Sequence, residues 1–317
     1  MRTGVQALSL FASPLNGQVL AALDGEPVPL ADLRRAVGHP PVTTMRSYLR
    51  ALTDLGVLDR QREDDFPGSV TYVMAPPGRK LLAVGGALQW WLETAPEVPL
   101  SLGSIGAKSV IKALIDGWEA GIVRALAARP LALTELDRLI PHVSYPALER
   151  RLTAMRQVGL VEPVPKRDGR VARCQVTPWL RRAVVPFSAA VGWERQCIPG
   201  RVSAPAKIDI EAAILLAVPL LDLSSDVNGT CRLAVECRRG NELDYAGVVL
   251  VVEEGKVRSC STRLEGEADA WAAGSVLDWF RWLREDDDGG VEIGGDAPLA
   301  RALEQGFGNA LMPTVGG

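Results

Sequence analysis

Two short stretches of this 317-residue sequence concentrate the side chains best suited to chemistry on a polyanion. Thr43, Thr44, Arg46, Ser47 and Arg50 form one set; Tyr145, Glu149, Arg150, Thr153 and Arg156, with Arg151 at the boundary, form the other. Guanidinium forks match phosphate and guanine geometry, and hydroxyls serve either phosphate or base edges. Further cations follow each set, Arg60 and Arg62 after the first and Lys166, Arg167, Arg170 and Arg173 after the second. The first of these runs also holds Glu63, Asp64 and Asp65, which repel phosphate.

Side chains for covalent or acid–base work are scarce. His39 and His142 are the only imidazoles, and no GxSxG, HExxH, P-loop or strand-borne GxGxxG occurs. The expectation is no enzyme and no cofactor. The five cysteines (Cys174, Cys197, Cys231, Cys237, Cys260) form no CxxC pair and have no His at ligand spacing. They read as reduced, buried thiols, with a redox pair of Cys231 and Cys260 as the alternative. The acidic run from Glu285 to Asp288 reads as a solvated loop without a closed ligand set.

Charge is unevenly spread. Residues 1–200 carry 24 Lys and Arg against 18 Asp and Glu, whereas 201–317 carry 11 against 20. Only the front of the chain suits a polyanionic partner. The apolar stretch from Val5 to Ala12 is too short and too interrupted for a signal peptide, and the longest apolar run, Ala212 to Leu221, is broken by Pro219. A cytoplasmic protein with no membrane partner is expected.

The elements that must position the basic faces emerge from an internal repeat. Residues 19–60 align without a gap to 122–163 at an offset of 103, with identities at Leu23/Leu126, Pro27/Pro130, Leu33/Leu136, His39/His142, Leu49/Leu152 and Gly56/Gly159. The similarity resumes at an offset of 102, pairing Pro76 with Pro178, Arg79 with Arg181 and Trp91 with Trp193. Each copy reads as a helix, a Pro-containing break, a short second helix, a turn holding the His, and a third helix capped by Thr43 or Ser144. The third helix buries Met45, Leu49 and Leu52, or Leu148, Leu152 and Met155, leaving the basic face free. Gly56 or Gly159 ends it. A hairpin follows (57–62 with 70–74; 160–164 with 171–176), then a helix ending in Trp90–Trp91 or Trp193. Matched placement of His39 and His142 argues for a structural turn.

This order is that of a winged helix-turn-helix, and both copies resemble HxlR-type regulators. The resemblance covers roughly residues 9–198 and is carried by VSYPALERRLTAMRQVGLVEPVPKRDGRVARCQVTPWLRR and by VTTMRSYLRALTDLGVLDRQ with VTYVMAPPGRKLL. The first copy departs from the pattern at SPLNGQVLAAL, which lacks the Trp that Trp118 supplies in the second. The resemblance implies duplex DNA as partner, and a two-fold dimer fused into one chain, with 99–117 as connector and recognition helices spaced about 34–36 Å apart.

After a linker at 199–207 the composition changes. Alternation at Cys231, Leu233, Val235 and Cys237 reads as a half-buried strand, and 248–252 with 257–262 as a hairpin around Glu254, Gly255 and Lys256. A helix is expected from Ile208 to Leu221, another opening at Asp269 and running through Trp271, a third with Val276, Trp279, Phe280 and Leu283, and a last from Pro298 to Gln305. The run VVLVVEEGKVRSCSTRLEGEADAWAAGSVLDWFRWL resembles the sterol-carrier-like (SCP2-type) fold. By that resemblance Leu215, Leu216, Val249, Val251, Trp271, Trp279, Phe280 and Trp282 line a pocket for a hydrophobic small molecule. The same aromatics also read as plain core.

The sequence therefore implies an α+β chain: tandem winged helix-turn-helix repeats at 1–98 and 118–198, joined by 99–117, then the linker and an SCP2-like α+β domain at 208–317. The function implied is transcriptional regulation through DNA binding, tuned by a ligand in the last domain. The competing function is a non-enzymatic assembly or carrier protein whose winged helices contact protein, and homodimerisation fits either.

Overall fold

The computed structural model describes residues 4–311 except 24, 63–69, 165–171, 202, 204, 240–241 and 280–289. The chain mixes α and β and divides into two compact units. One runs up to Lys112 and includes residues from Ala189 to 201; the other runs from Ala113 to Ser188 and resumes at Ser203. The boundaries expected at 98, 117, 198 and 207 do not coincide with this division. The expected connector is mostly a 15-residue helix, Ile105–Glu119 (α6), whose apolar positions Ala107, Val110, Ile111 and Leu114 are buried.

The first unit opens with α1 (Val5–Phe11) and α2 (Pro14–Ala22), which bury Leu8, Phe11, Val19 and Leu20. A two-residue strand, β1 (Val28–Pro29), precedes α3 (Leu30–Ala36), and α4 (Val42–Asp54) follows. The break read at Pro27–Pro29 is thus a strand, too short to show a period of two. The hairpin β2 (Leu58–Arg62) and β3 (Val70–Met74) joins the two segments expected to pair, with Leu58 opposite Met74 and Arg62 opposite Val70. Sheet order is β1-β3-β2, and α5 (Pro76–Glu93) completes the run.

Residues from Ala189 onward in α11 (Val184–Cys197) belong to this unit. Trp193 Nε1 donates to the Pro77 carbonyl at 2.8 Å. Glu194, wholly buried, accepts from the backbone N–H of Gly4 at 2.5 Å and of Ala7 at 2.7 Å. Those donors at the start of α1 have no partner within the helix, so the carboxylate caps it from a distant part of the chain.

In the second unit come α7 (Ile122–Ala128), β4 (Leu131–Ala132), α8 (Leu133–Leu139), α9 (Tyr145–Gln157), β5 (Val161–Pro163), β6 (Arg173–Val176) and α10 (Pro178–Arg182). Sheet order is β4-β6-β5. Both ends of β4, α8 and α9 lie 103 residues beyond those of β1, α3 and α4. Gly56 and Gly159 hold φ of +70° and +76°, the left-handed conformation that stops α4 and α9 and for which glycine carries no Cβ penalty.

The remainder of this unit is a five-stranded sheet with helix α12 (Lys207–Ala217) against it. Strand order is β11-β10-β7-β8-β9, from β7 (Gly229–Arg239), β8 (Glu242–Glu253), β9 (Lys256–Ser261), β10 (Ala270–Gly274) and β11 (Glu292–Gly295), with β10 parallel to β7 and every other pairing antiparallel. Cys231, Leu233, Val235 and Cys237 are buried as their alternation predicted, and Ile210 and Ile214 of α12 pack on the same face. The helix expected at Asp269 is instead β10. Its Ala-rich sequence has helical propensity, but parallel pairing with β7 overrides it. The helix expected to Leu221 stops at Ala217 and gives way to a 3-10 turn, Val218–Leu220, at Pro219. The final helix α13 runs Ala297–Leu311, longer than expected.

Candidate nucleic-acid interface

α4 begins at Val42 with Pro41 at its N-cap, so Thr43 lies inside the first turn and does not cap it. Met45, Leu49 and Leu52 form a wholly buried stripe at i, i+4 and i+7. With that stripe fixed, Thr43, Thr44, Arg46, Ser47 and Arg50 all face solvent. Arg60 and Arg62 are exposed on β2, where Leu58 alone is buried. Among the described residues none of these four arginines makes an ion pair. The result is an exposed basic and hydroxyl-bearing helix face followed by a charged hairpin strand.

α9 repeats the plan. Ser144 occupies its N-cap position without accepting a side-chain hydrogen bond, and Leu148, Leu152 and Met155 are buried. Tyr145, Glu149, Arg150, Thr153 and Arg156 are exposed and Arg151 is half-buried. The wing cations separate. Lys166, Arg167 and Arg170 lie outside the described residues, as do Glu63, Asp64 and Asp65 of the first hairpin. Arg173 is described and has a carboxylate partner: its Nη2 stands 3.4 Å from Glu135 Oε1, which Arg129 Nη1 also approaches at 3.4 Å. Glu135 in turn accepts the Ala132 N–H at 2.8 Å. That backbone bond, reinforced by Arg173 and Arg129, holds the Glu135 carboxyl below its ordinary value. Arg173 therefore braces β6 to α8 as well as facing solvent. Sequence reading missed this because Glu135 lies 38 residues away.

The residues expected to line a hydrophobic pocket do not converge. Leu215 and Leu216 are buried on α12, which packs on the sheet face bearing Val235, Cys237 and Ala246. Val249 and Val251 alternate with the buried Val248, Leu250 and Val252, so they point to the opposite face, where Trp271 pairs in register with Arg232 and is 37% exposed. Trp279 packs on the α12 side and donates from Nε1 to the Ala234 carbonyl at 3.0 Å. Phe280 and Trp282 lie outside the described residues. A side-chain set split between two sheet faces cannot enclose one ligand.

The thiol pair fails on similar grounds. Cys231 and Cys260 both pair with Leu250, on opposite sides of β8, so two strand spacings of about 5 Å each separate them. That exceeds the Cα separation of about 7 Å at which a disulfide closes. Burial pushes the Cys231 thiol up to about 12 and Cys260 up to about 11, which suppresses the reactive thiolate. His39 sits in a left-handed turn at φ +58°, exposed like His142. Among the described residues no group of three His, Cys, Asp or Glu could hold a metal ion. Among them, too, no helix is long and apolar enough to cross a membrane.

Residues 16–98 match the family of HxlR-like helix-turn-helix domains. The match spans α2 to α5 and includes α4 with its exposed basic face. It supports a DNA-binding transcriptional regulator. No curated protein matches the chain.

Proposed function

With an HxlR-like segment at 16–98 as premise, we propose that this chain reads duplex DNA through α4 and the β2–β3 hairpin, with α9 and the β5–β6 hairpin acting as a second reader of the same kind. The observation that carries the reading is α4: a buried Met45, Leu49 and Leu52 stripe leaves Arg46 and Arg50 exposed beside Thr43 and Ser47. A helix so disposed suits the major groove, with phosphates contacted from the wing. The shared sheet orders and the 103-residue spacing of α3, α4 and β1 from their counterparts support the second reader. They support, too, two copies of one reading unit fused in one chain. Because the exposed residues of α4 and α9 differ, the preferred site is an imperfect palindrome.

In this reading the chain is a cytoplasmic, cofactor-free regulator and not an enzyme. Residues 208–317 form its SCP2-like partner domain, and the mass of the full chain in solution tests homodimerisation. The test of DNA reading is a salt titration of duplex binding. Log affinity should fall steeply with log salt, and Arg46→Ala or Arg50→Ala should cost about 1–3 kcal/mol if the side chain reads a base, or reduce the salt slope by about 1 if it holds a phosphate. An absence of duplex binding at low salt sinks the proposal. That outcome favours the second reading, an assembly module contacting protein, for which the Glu135 carboxylate beside Arg173 is the supporting observation.

A further inference from the structure

The apolar stripes set α4 and α9 in the same rotational phase. Met45, Leu49 and Leu52 stand 103 residues before Leu148, Leu152 and Met155, and all six are buried. Both helices span 13 residues. Equivalent positions therefore face solvent at the same angle and at the same level from the first turn. At the fifth residue the charge reverses: α4 carries Arg46 and α9 carries Glu149. Both are exposed, and among the described residues neither makes an ion pair. The residues three and four positions from Glu149 are Tyr145, Pro146, Leu152 and Thr153, so its own helix offers it no cation.

A carboxylate only accepts hydrogen bonds, and a guanidinium only donates them. In the major groove guanine presents two acceptors, O6 and N7, which suit a guanidinium fork. Cytosine presents a donor, its N4 amino group, which suits a carboxylate. Adenine sets an acceptor beside its donor, and thymine offers an acceptor and a methyl group. A carboxylate also repels phosphate, so it gains nothing from contact that ignores sequence. Arg150 and Arg156, standing where α4 has Ser47 and Thr53, keep the α9 face cationic around Glu149.

We propose that Arg46 and Glu149 give the two readers unlike base preferences, guanine beneath Arg46 and cytosine beneath Glu149, so that the duplex site has unequal halves and a direction. The inference rests on the DNA reading above and deepens it by naming the bases and the residues that choose them. Glu149 acts by exclusion as well as attraction, since at guanine its oxygens meet only acceptors.

The experiment selects duplexes from a random pool with the full chain at low salt, then titrates the selected duplex by fluorescence anisotropy. The expected site holds a cytosine that the wild type prefers to guanine by about tenfold; Glu149→Arg reverses that preference and Glu149→Ala loses it. Replacing this cytosine by 2-pyrimidinone, which lacks the N4 amino group, weakens the wild type but not Glu149→Ala. In the other half, 7-deazaguanine, which lacks N7, weakens the wild type but not Arg46→Ala. Both positions are exposed, so thermal midpoints stay at the wild-type value. A selected site whose base preferences survive Glu149→Arg or Arg46→Ala unchanged overturns this inference and leaves DNA reading standing. So does Glu149→Arg binding that strengthens equally at every base, which makes the carboxylate a solvated charge alone. If no duplex binds at low salt, the DNA reading falls and this inference falls with it.

Discussion

A guanidinium and a carboxylate show how single residues hold the second unit together. Arg124 on α7 meets Glu211 on α12, with Nε 2.6 Å and Nη2 2.5 Å from the same Oε2. The Glu211 side chain is 5% exposed and that of Arg124 37%. Removing the arginine strands a buried carboxylate, so Arg124→Ala should lower stability by roughly 2 kcal/mol, toward the low end for buried pairs because one partner is wet. Replacing both residues by Leu should restore most of that loss, since the other residues the two helices bury are mainly apolar, among them Ile122, Leu126, Ala212 and Leu216. Chemical denaturation of the two variants checks both expectations. Sequence alone did not pair these residues, because 87 positions separate them. The solvent-facing arginines of α4 were legible, since a stripe of three apolar residues dictates which side of a helix is left outside.

At the scale of elements, the buried stripe of α4 and the pairing of β2 with β3 were legible because both depend on local pattern. The capping of α1 was not. Its donors meet Glu194, 190 residues away, at Gly4. Burial pushes the Glu194 carboxyl above 4.5, against the pull of the Ala7, Gly4 and Gln6 N–H groups. Between 4.5 and the raised value the folded chain holds a proton that the unfolded chain has released. The contribution of this group to stability is therefore present at low pH and is lost as pH rises through the folded value. Thermal melts of the wild type should show that decline from pH 4.5 upward, and Glu194→Gln should lack it. A wild-type curve as flat as the variant's contradicts the assignment. The β10 segment teaches a related lesson: its Ala-rich run has no strand signal of its own, and only pairing with β7 makes it one.

At the scale of the whole molecule, the division into units departs from the order of the chain. The first unit takes residues from Ala189 to 201, including Trp193 and Glu194, whose partners Pro77, Gly4 and Ala7 stand 116, 190 and 187 positions earlier in the sequence. A fragment ending at Lys112 keeps the whole HxlR-like segment yet loses both side chains. It should melt below the full chain's first transition and show more exposed apolar surface, measured by calorimetry and dye binding. Adding residues 184–201 as a separate peptide should recover part of the loss.

What the sequence determined by itself is whatever repeats at short range: the helical stripes, the glycine stops after α4 and α9, the segments that pair as hairpins, and hence the exposed basic faces. Helical period, strand alternation and left-handed glycine are properties of a few neighbouring residues. Tertiary structure alone decided the rest. It sent Val249 and Val251 to the face opposite α12, kept Cys231 and Cys260 two strands apart, and gave Arg173 a carboxylate partner. Each of those outcomes depends on which distant segment fills the adjoining space, and packing settles that only when the whole chain has closed.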